Sequence, residues 1–129
     1  MTTAYWCVLV AAFMPVIWAG IAKTGVGKGG GQRYDNARPR DFLGTLTGWR
    51  ARANFAQQNS YEAFPPFAAG VIIAHLCNAP QGTVDTLAVT FILARVAYGL
   101  CYIADRSSLR SLVWLVGFGS VVGLFVTAA

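Results

Sequence analysis

Three apolar stretches, 4–22, 84–104 and 109–128, are each long enough to cross a bilayer as a helix, since a hydrocarbon core of about 30 Å takes roughly 20 helical residues. Backbone amides and carbonyls find no water in lipid and must be satisfied within the segment. Nothing in the chain alternates with the two-residue period of a barrel strand, so helices are the remaining solution. The fold class is therefore all-α, in an integral membrane protein. Composition agrees, because 56% hydrophobic and 12% charged residues in a chain of 129 leave no material for an ordinary soluble domain. A fourth apolar run, 63–77, is too short to cross alone, so its helix is expected to span about 50–78 with a polar front end. One transmembrane domain over 1–129 is expected, a four-helix bundle with a basic loop at 23–49. Residues 1–22 lack the basic N-terminal region of a cleaved secretory signal, and the first helix is expected to stay in the mature protein.

Charge orients these spans. Seven of the ten basic residues, Lys23, Lys28, Arg33, Arg38, Arg40, Arg50 and Arg52, fall between the first and second apolar segments, against Asp35 and Asp41. Arg106 and Arg110 lie between the third and fourth, whereas the 78–83 connection and both termini carry no basic side chain. By the positive-inside rule the first and third loops face the cytoplasm and both termini the other side, as expected for a multi-pass protein of the cell inner membrane. The net charge of +5 thus belongs to one membrane face; lipid, and no nucleic acid, is the expected partner there.

Glu62 lies at the mouth of the second apolar run, in Asn59-Ser60-Tyr61-Glu62-Ala63-Phe64-Pro65-Pro66-Phe67. A carboxylate beside hydrocarbon must be paired, hydrated in a cavity or protonated, and marks a functional site by default. In a helix, Pro65 and Pro66 cannot donate to the carbonyls of Tyr61 and Glu62. Two free carbonyls and a carboxylate call for a donor from another helix, and Arg95, near mid-depth of the third span, is expected to form a buried ion pair with Glu62. Further polar stripes follow from helical spacing. Gln58, Asn59 and Glu62 share a face of the second span; Arg95, Tyr98 and Tyr102 follow i, i+3, i+7 on the third; Arg110 and Trp114 share a face of the fourth, with Ser111 beside them. Together they outline a polar pocket in the cytoplasmic half. Asn54, Gln58 and Asn59 are costly against lipid and are expected to face other helices or water.

Other features read as structural. Gly25-Val26-Gly27-Lys28-Gly29-Gly30-Gly31 matches the spacing G-x-G-x-x-G but lacks the strand and helix of a dinucleotide site, and reads as a hinge. Cys7, Cys77 and Cys101 show no C-x-x-C spacing and read as packing residues, and His75 as an interfacial imidazole. No metal site is expected.

Arg52-Ala53 followed by Asn59-x-x-Glu62-x-x-x-Pro66-Phe67, then Arg95-Val96-Ala97-Tyr98-x-x-x-Tyr102 and Arg106-x-x-x-Arg110-Ser111, resembles the MAPEG family, membrane-associated proteins in eicosanoid and glutathione metabolism, in a bacterial form. The resemblance covers essentially the whole chain. It implies a homotrimer with glutathione sites between neighbouring subunits, and the polar stripe of Asn54, Gln58 and Asn59 is expected to place helix 50–78 near the three-fold axis. It further implies that Asn59, Glu62, Tyr98, Tyr102, Arg110 and Ser111 contact glutathione as co-substrate, that Arg110 and Ser111 act on its thiol, and that Arg95 partners Glu62. A guanidinium lowers a thiol's pKa, and the thiolate is the nucleophile that a lipophilic electrophile or peroxide meets. The chain departs from glutathione-using members before the Asn, where Phe55, Gln57 and Gln58 replace arginines, and at Trp114, where several have Tyr. Each missing charge-assisted bond weakens a carboxylate's grip by about 1–3 kcal/mol. Two other classes fit the residues: a non-catalytic membrane scaffold or subunit, and a small proton-coupled exporter in which Glu62 alternates between proton and substrate.

Overall fold

A computed structural model describes residues 1–24 and 34–129. The glycine-rich segment, Lys28 and Arg33 lie outside the described residues. Among the described residues the chain is all helix and turn: α1 (Thr3–Lys23), α2 (Pro39–Gly44), α3 (Gly48–Leu76), α4 (Gln81–Ile103) and α5 (Ser107–Ala128). Three of these, α1, α4 and α5, are long and apolar enough to cross a membrane. The 29 residues of α3 extend about 43 Å at 1.5 Å per residue, but the polar stretch before Glu62 keeps it out of that apolar set. α2 was not foreseen within the basic loop; Pro39 opens it, where a missing amide costs nothing, and it buries Phe42 and Leu43.

α1 packs chiefly along α3, α4 chiefly along α5, and α3 touches α4 and α5 in turn. Small residues allow the close approach. Ala4, Ala11 and Ala22 of α1 and Ala53, Ala56 and Ala74 of α3 are all buried, and in lipid such faces associate through close van der Waals contact. Gly99 of α4 serves the same end, because the Trp18 ring occupies the space a Cβ there would take. The main core joins Phe67, Val71, Phe91 and Leu124, with Phe67 and Phe91 stacked at 3.9 Å and 8°.

Two turns have one design. Asn78 and Asp105 take left-handed φ values of 56° and 57°, a conformation that short polar side chains tolerate. Ala79 N–H reaches Ala74 O and Arg106 N–H reaches Cys101 O, both at 2.9 Å, closing Schellman caps on α3 and α4. The α4 cap is reinforced by Arg52, whose Nε and Nη2 donate to Ile103 O at 3.2 and 3.1 Å. This tight turn delivers Arg106 and Arg110 beside the ends of α3 and α4. At the opposite end Asp85 accepts from the Ala4 amide and from Gln81 Nε2, each at 2.8 Å, and so satisfies one orphan donor of α1.

Candidate functional site

Asn59 joins the two charges that the sequence reading paired directly. Arg95 Nη2 donates to Asn59 Oδ1 at 2.7 Å, and Asn59 Nδ2 donates to Glu62 Oε2 at 3.2 Å. Among the described residues neither charge forms an ion pair, so the expected Glu62–Arg95 bridge is replaced by a relay through an amide. The reason is positional. Asn59 is one turn nearer the basic end of α3 than Glu62, and the Arg95 guanidinium lies at that level, 4.3 Å from the centre of the Tyr98 ring. Arg95 donates to neither freed carbonyl, and its Nε, buried, has no partner. Glu62 is exposed.

From Arg95 the contacts continue toward the basic end. Tyr98 and Tyr102, one turn apart on α4, meet edge to face at 5.4 Å and 77°. Arg110 of α5 lies over the Tyr102 ring at 4.3 Å, and Phe55 of α3 tilts toward the same ring at 6.1 Å. A single row therefore runs Glu62, Asn59, Arg95, Tyr98, Tyr102, Arg110, with a guanidinium on the face of each phenol, the arrangement the ring quadrupole favours. Neither tyrosine hydroxyl is engaged by a protein acceptor among the described residues.

Five of the six residues expected to contact a thiol lie in this row. Ser111 stands apart: it is exposed, and its hydroxyl donates to the Ser107 carbonyl at 3.2 Å, the back-bond a serine makes within its own helix. The Asn54, Gln58, Asn59 stripe also divides. Asn54 is buried and donates to Leu43 O at 3.5 Å, tying α2 to α3, whereas Gln58 is exposed. Of the cysteines, Cys7 and Cys101 are buried, but Cys77 is exposed and does not pack, because it falls in the turn after α3. His75 is exposed and meets Tyr5 edge to face at 5.1 Å. No cluster of potential metal ligands occurs among the described residues.

The row borders a cleft of about 200 Å³ whose lining includes Asn59, Glu62, Arg95 and Trp114 of the expected polar stripes, together with apolar residues that sequence reasoning did not single out. Asn59, Glu62, Ala63 and Pro66 of α3 face Trp114, Gly117, Phe118 and Val121 of α5, with Phe91 and Arg95 of α4 behind. Both stripes follow i, i+3, i+4, i+7, the spacing of one helical face, so the signal was present in each helix. Only tertiary structure shows that the two stripes oppose one another.

The MAPEG family model matches residues 3–129. The chain belongs to the MAPEG family. No curated protein and no solved structure matches it. For a MAPEG protein with three membrane-crossing helices, a multi-pass membrane location follows.

Proposed function

We propose that this MAPEG protein binds glutathione, or a similar anionic thiol, along the row from Glu62 to Arg110 and adds it to lipophilic electrophiles or, with a second thiol that leaves as the disulfide, reduces peroxides. The observation that carries this reading is the row itself: two guanidinium groups, two unengaged phenol hydroxyls and one exposed carboxylate in a continuous line. A ligand with carboxylates, an ammonium and a thiol needs that mixture. Arg110 supplies positive charge near the start of α5, where the helix dipole adds to it, and so favours a thiolate. Tyr98 and Tyr102 supply hydroxyl donors, and Glu62 accepts from an ammonium while Asn59 holds it. Ser111 enters this scheme only through rotation away from Ser107 O.

The same reading takes the protein as a homotrimer in the cell inner membrane, with the thiol site between neighbouring subunits, loops 1 and 3 cytoplasmic and both termini outside. Lipophilic substrate reaches the site laterally from the bilayer. Glutathione acts as co-substrate and no metal takes part. A non-catalytic scaffold is the second reading, favoured by Phe55, which fills with a ring the space beside Tyr102 where glutathione-using members carry arginine. Calorimetry with millimolar glutathione, together with conjugation to a generic aromatic electrophile by wild type and Arg110→Ala, separates the two. Heat of binding and a rate that falls in the variant support the enzyme; absence of both leaves the scaffold.

A further inference from the structure

We infer that the groove between α2 and α3 binds a phosphate ester that carries hydroxyl groups, the chemistry shared by an anionic glycerophospholipid headgroup and free glycerol phosphate. The groove holds about 300 Å³, at the lower end of the range for small-ligand sites. On α3, Asn54, Gln57, Gln58 and Tyr61 follow i, i+3, i+4, i+7 and line it as one helical face, together with Arg40 of α2. None of these belongs to the row from Glu62 to Arg110. At 3.6 residues per turn the α3 members of that row, Asn59 and Glu62, lie roughly a third of a turn round the helix from this face, so the groove stands apart from the thiol reading. Packing sets its level. Phe42 and Leu43 of α2 meet Ala53 of α3 and Ala22, one residue short of the end of α1. α2 therefore lies where α1 leaves the apolar layer, within reach of lipid headgroups and of solutes on the basic side of the membrane.

The lining selects the ligand. Arg40 is exposed and pairs with no acceptor among the described residues, Asp41 beside it included. A free guanidinium at this level recruits a phosphate, whose oxygens match its planar fork of N–H donors. Two amides share the groove with it. Asn54 is 7% exposed; its Nδ2 donates to the Leu43 carbonyl at 3.5 Å, and no donor among the described residues reaches its Oδ1. Gln57 Oε1 is buried and has no partner. Buried acceptors left unmet cost free energy that an incoming donor recovers. A bare phosphodiester has no donor to give, but hydroxyls on the ester do. Because a hydroxyl both donates and accepts, it serves either orientation of the Gln57 amide. A choline headgroup, cationic and without N–H or O–H, suits neither Arg40 nor the amides.

The test sets phosphatidylglycerol against phosphatidylethanol, which has the same charge and no headgroup hydroxyl, with glycerol 3-phosphate as the soluble arm. Native mass spectrometry from mild detergent should show phosphatidylglycerol retained about threefold to tenfold better than phosphatidylethanol, the range of one hydrogen bond. Arg40→Gln should lower its retention about tenfold, whereas Arg38→Gln, which removes an equal charge outside the groove, should lower it less than about twofold. Gln57→Leu exchanges an unmatched buried amide for an apolar chain, so it should fold at least as well and bring phosphatidylglycerol down to the level of phosphatidylethanol. Calorimetry with glycerol 3-phosphate in phosphatidylcholine nanodiscs separates the sources. Heat that is lost in Arg40→Gln makes the soluble ester a ligand; no heat, with the lipid preference intact, makes the headgroup the ligand, and either result upholds the site. Equal retention of the two anionic lipids together with no heat, equal losses in Arg38→Gln and Arg40→Gln, or displacement by glutathione as strong as by glycerol 3-phosphate overturns the proposal, the last giving the groove to the thiol.

Discussion

α3 and α4 meet twice, in two different ways. Toward the Leu76 end they join through Phe67 stacked on Phe91, with Ala74, Val84 and Ala88 buried around them. Toward the Gly48 end the junction is polar, with Arg95 donating to Asn59 at 2.7 Å and Arg52 to the Ile103 carbonyl at 3.2 and 3.1 Å. The first contact is non-directional and made of apolar side chains. The second is directional and leaves capacity unused, in the Arg95 Nε, the tyrosine hydroxyls and the Glu62 carboxylate. Stability belongs to the first region and selectivity to the second, which is where a membrane protein is expected to keep its few polar groups.

The sharpest way to break this contrast is at Phe67. Its side chain is 0% exposed, and Phe67→Ala leaves a cavity against Phe91 that the alanine-rich neighbours cannot fill. The expected loss is about 3 kcal/mol, the low end of the range for such truncations, because lipid rather than water is the surrounding solvent. Thermal unfolding in mild detergent measures it. A loss smaller than that of any change in the polar row would reverse the assignment of roles.

Arg95→Met comes next. It keeps an unbranched apolar stem but removes the bond to Asn59 and the stacking on Tyr98, with an expected cost of about 1.5–3 kcal/mol for a lost hydrogen bond to a charged group. Replacement of a buried charge by an apolar chain recovers part of its desolvation cost, so the net change should fall below that of Phe67→Ala. The same detergent melts decide the order.

The division between the two regions also marks how far the sequence could be read. Long apolar runs revealed the helices because length and hydropathy are local properties. The stripe Arg95, Tyr98, Tyr102 was legible for the same reason, as helical spacing within one segment. What stayed hidden depends on residues far apart in the chain. Arg95 reaches Asn59 rather than Glu62 across 36 positions, and Arg52 reaches the Ile103 carbonyl across 51. Both choices turn on the relative height of two packed helices, a matter of a single turn that no local pattern encodes. The apolar lining of the cleft stayed hidden on like grounds, since two facing stripes look in isolation like two ordinary helix faces.

Arg52→Gln tests one of those hidden contacts. Its two bonds to one orphan carbonyl at the end of α4 hold the turn that carries Arg106 and Arg110. The expected loss is about 1 kcal/mol, near the mean for a helix cap. Hydrogen exchange should show faster opening confined to the α4–α5 turn, while amides around Phe67 keep their protection.

Glu62→Gln should have the least effect on stability and for that reason says the most. A buried ion pair with Arg95 would make the variant lose roughly 3–5 kcal/mol, as removal of one partner strands the other charge. Glu62 is instead exposed and held only by Asn59 Nδ2 at 3.2 Å, a bond that the glutamine carbonyl oxygen can accept equally well. The expected change in unfolding free energy is within about 0.5 kcal/mol, as for other substitutions outside the core. Binding should respond quite differently, because the carboxylate's negative charge is what an ammonium group recognises, and affinity for glutathione should fall about tenfold. A melt displaced by several kcal/mol would restore the direct ion pair and make Glu62 part of the stability region after all.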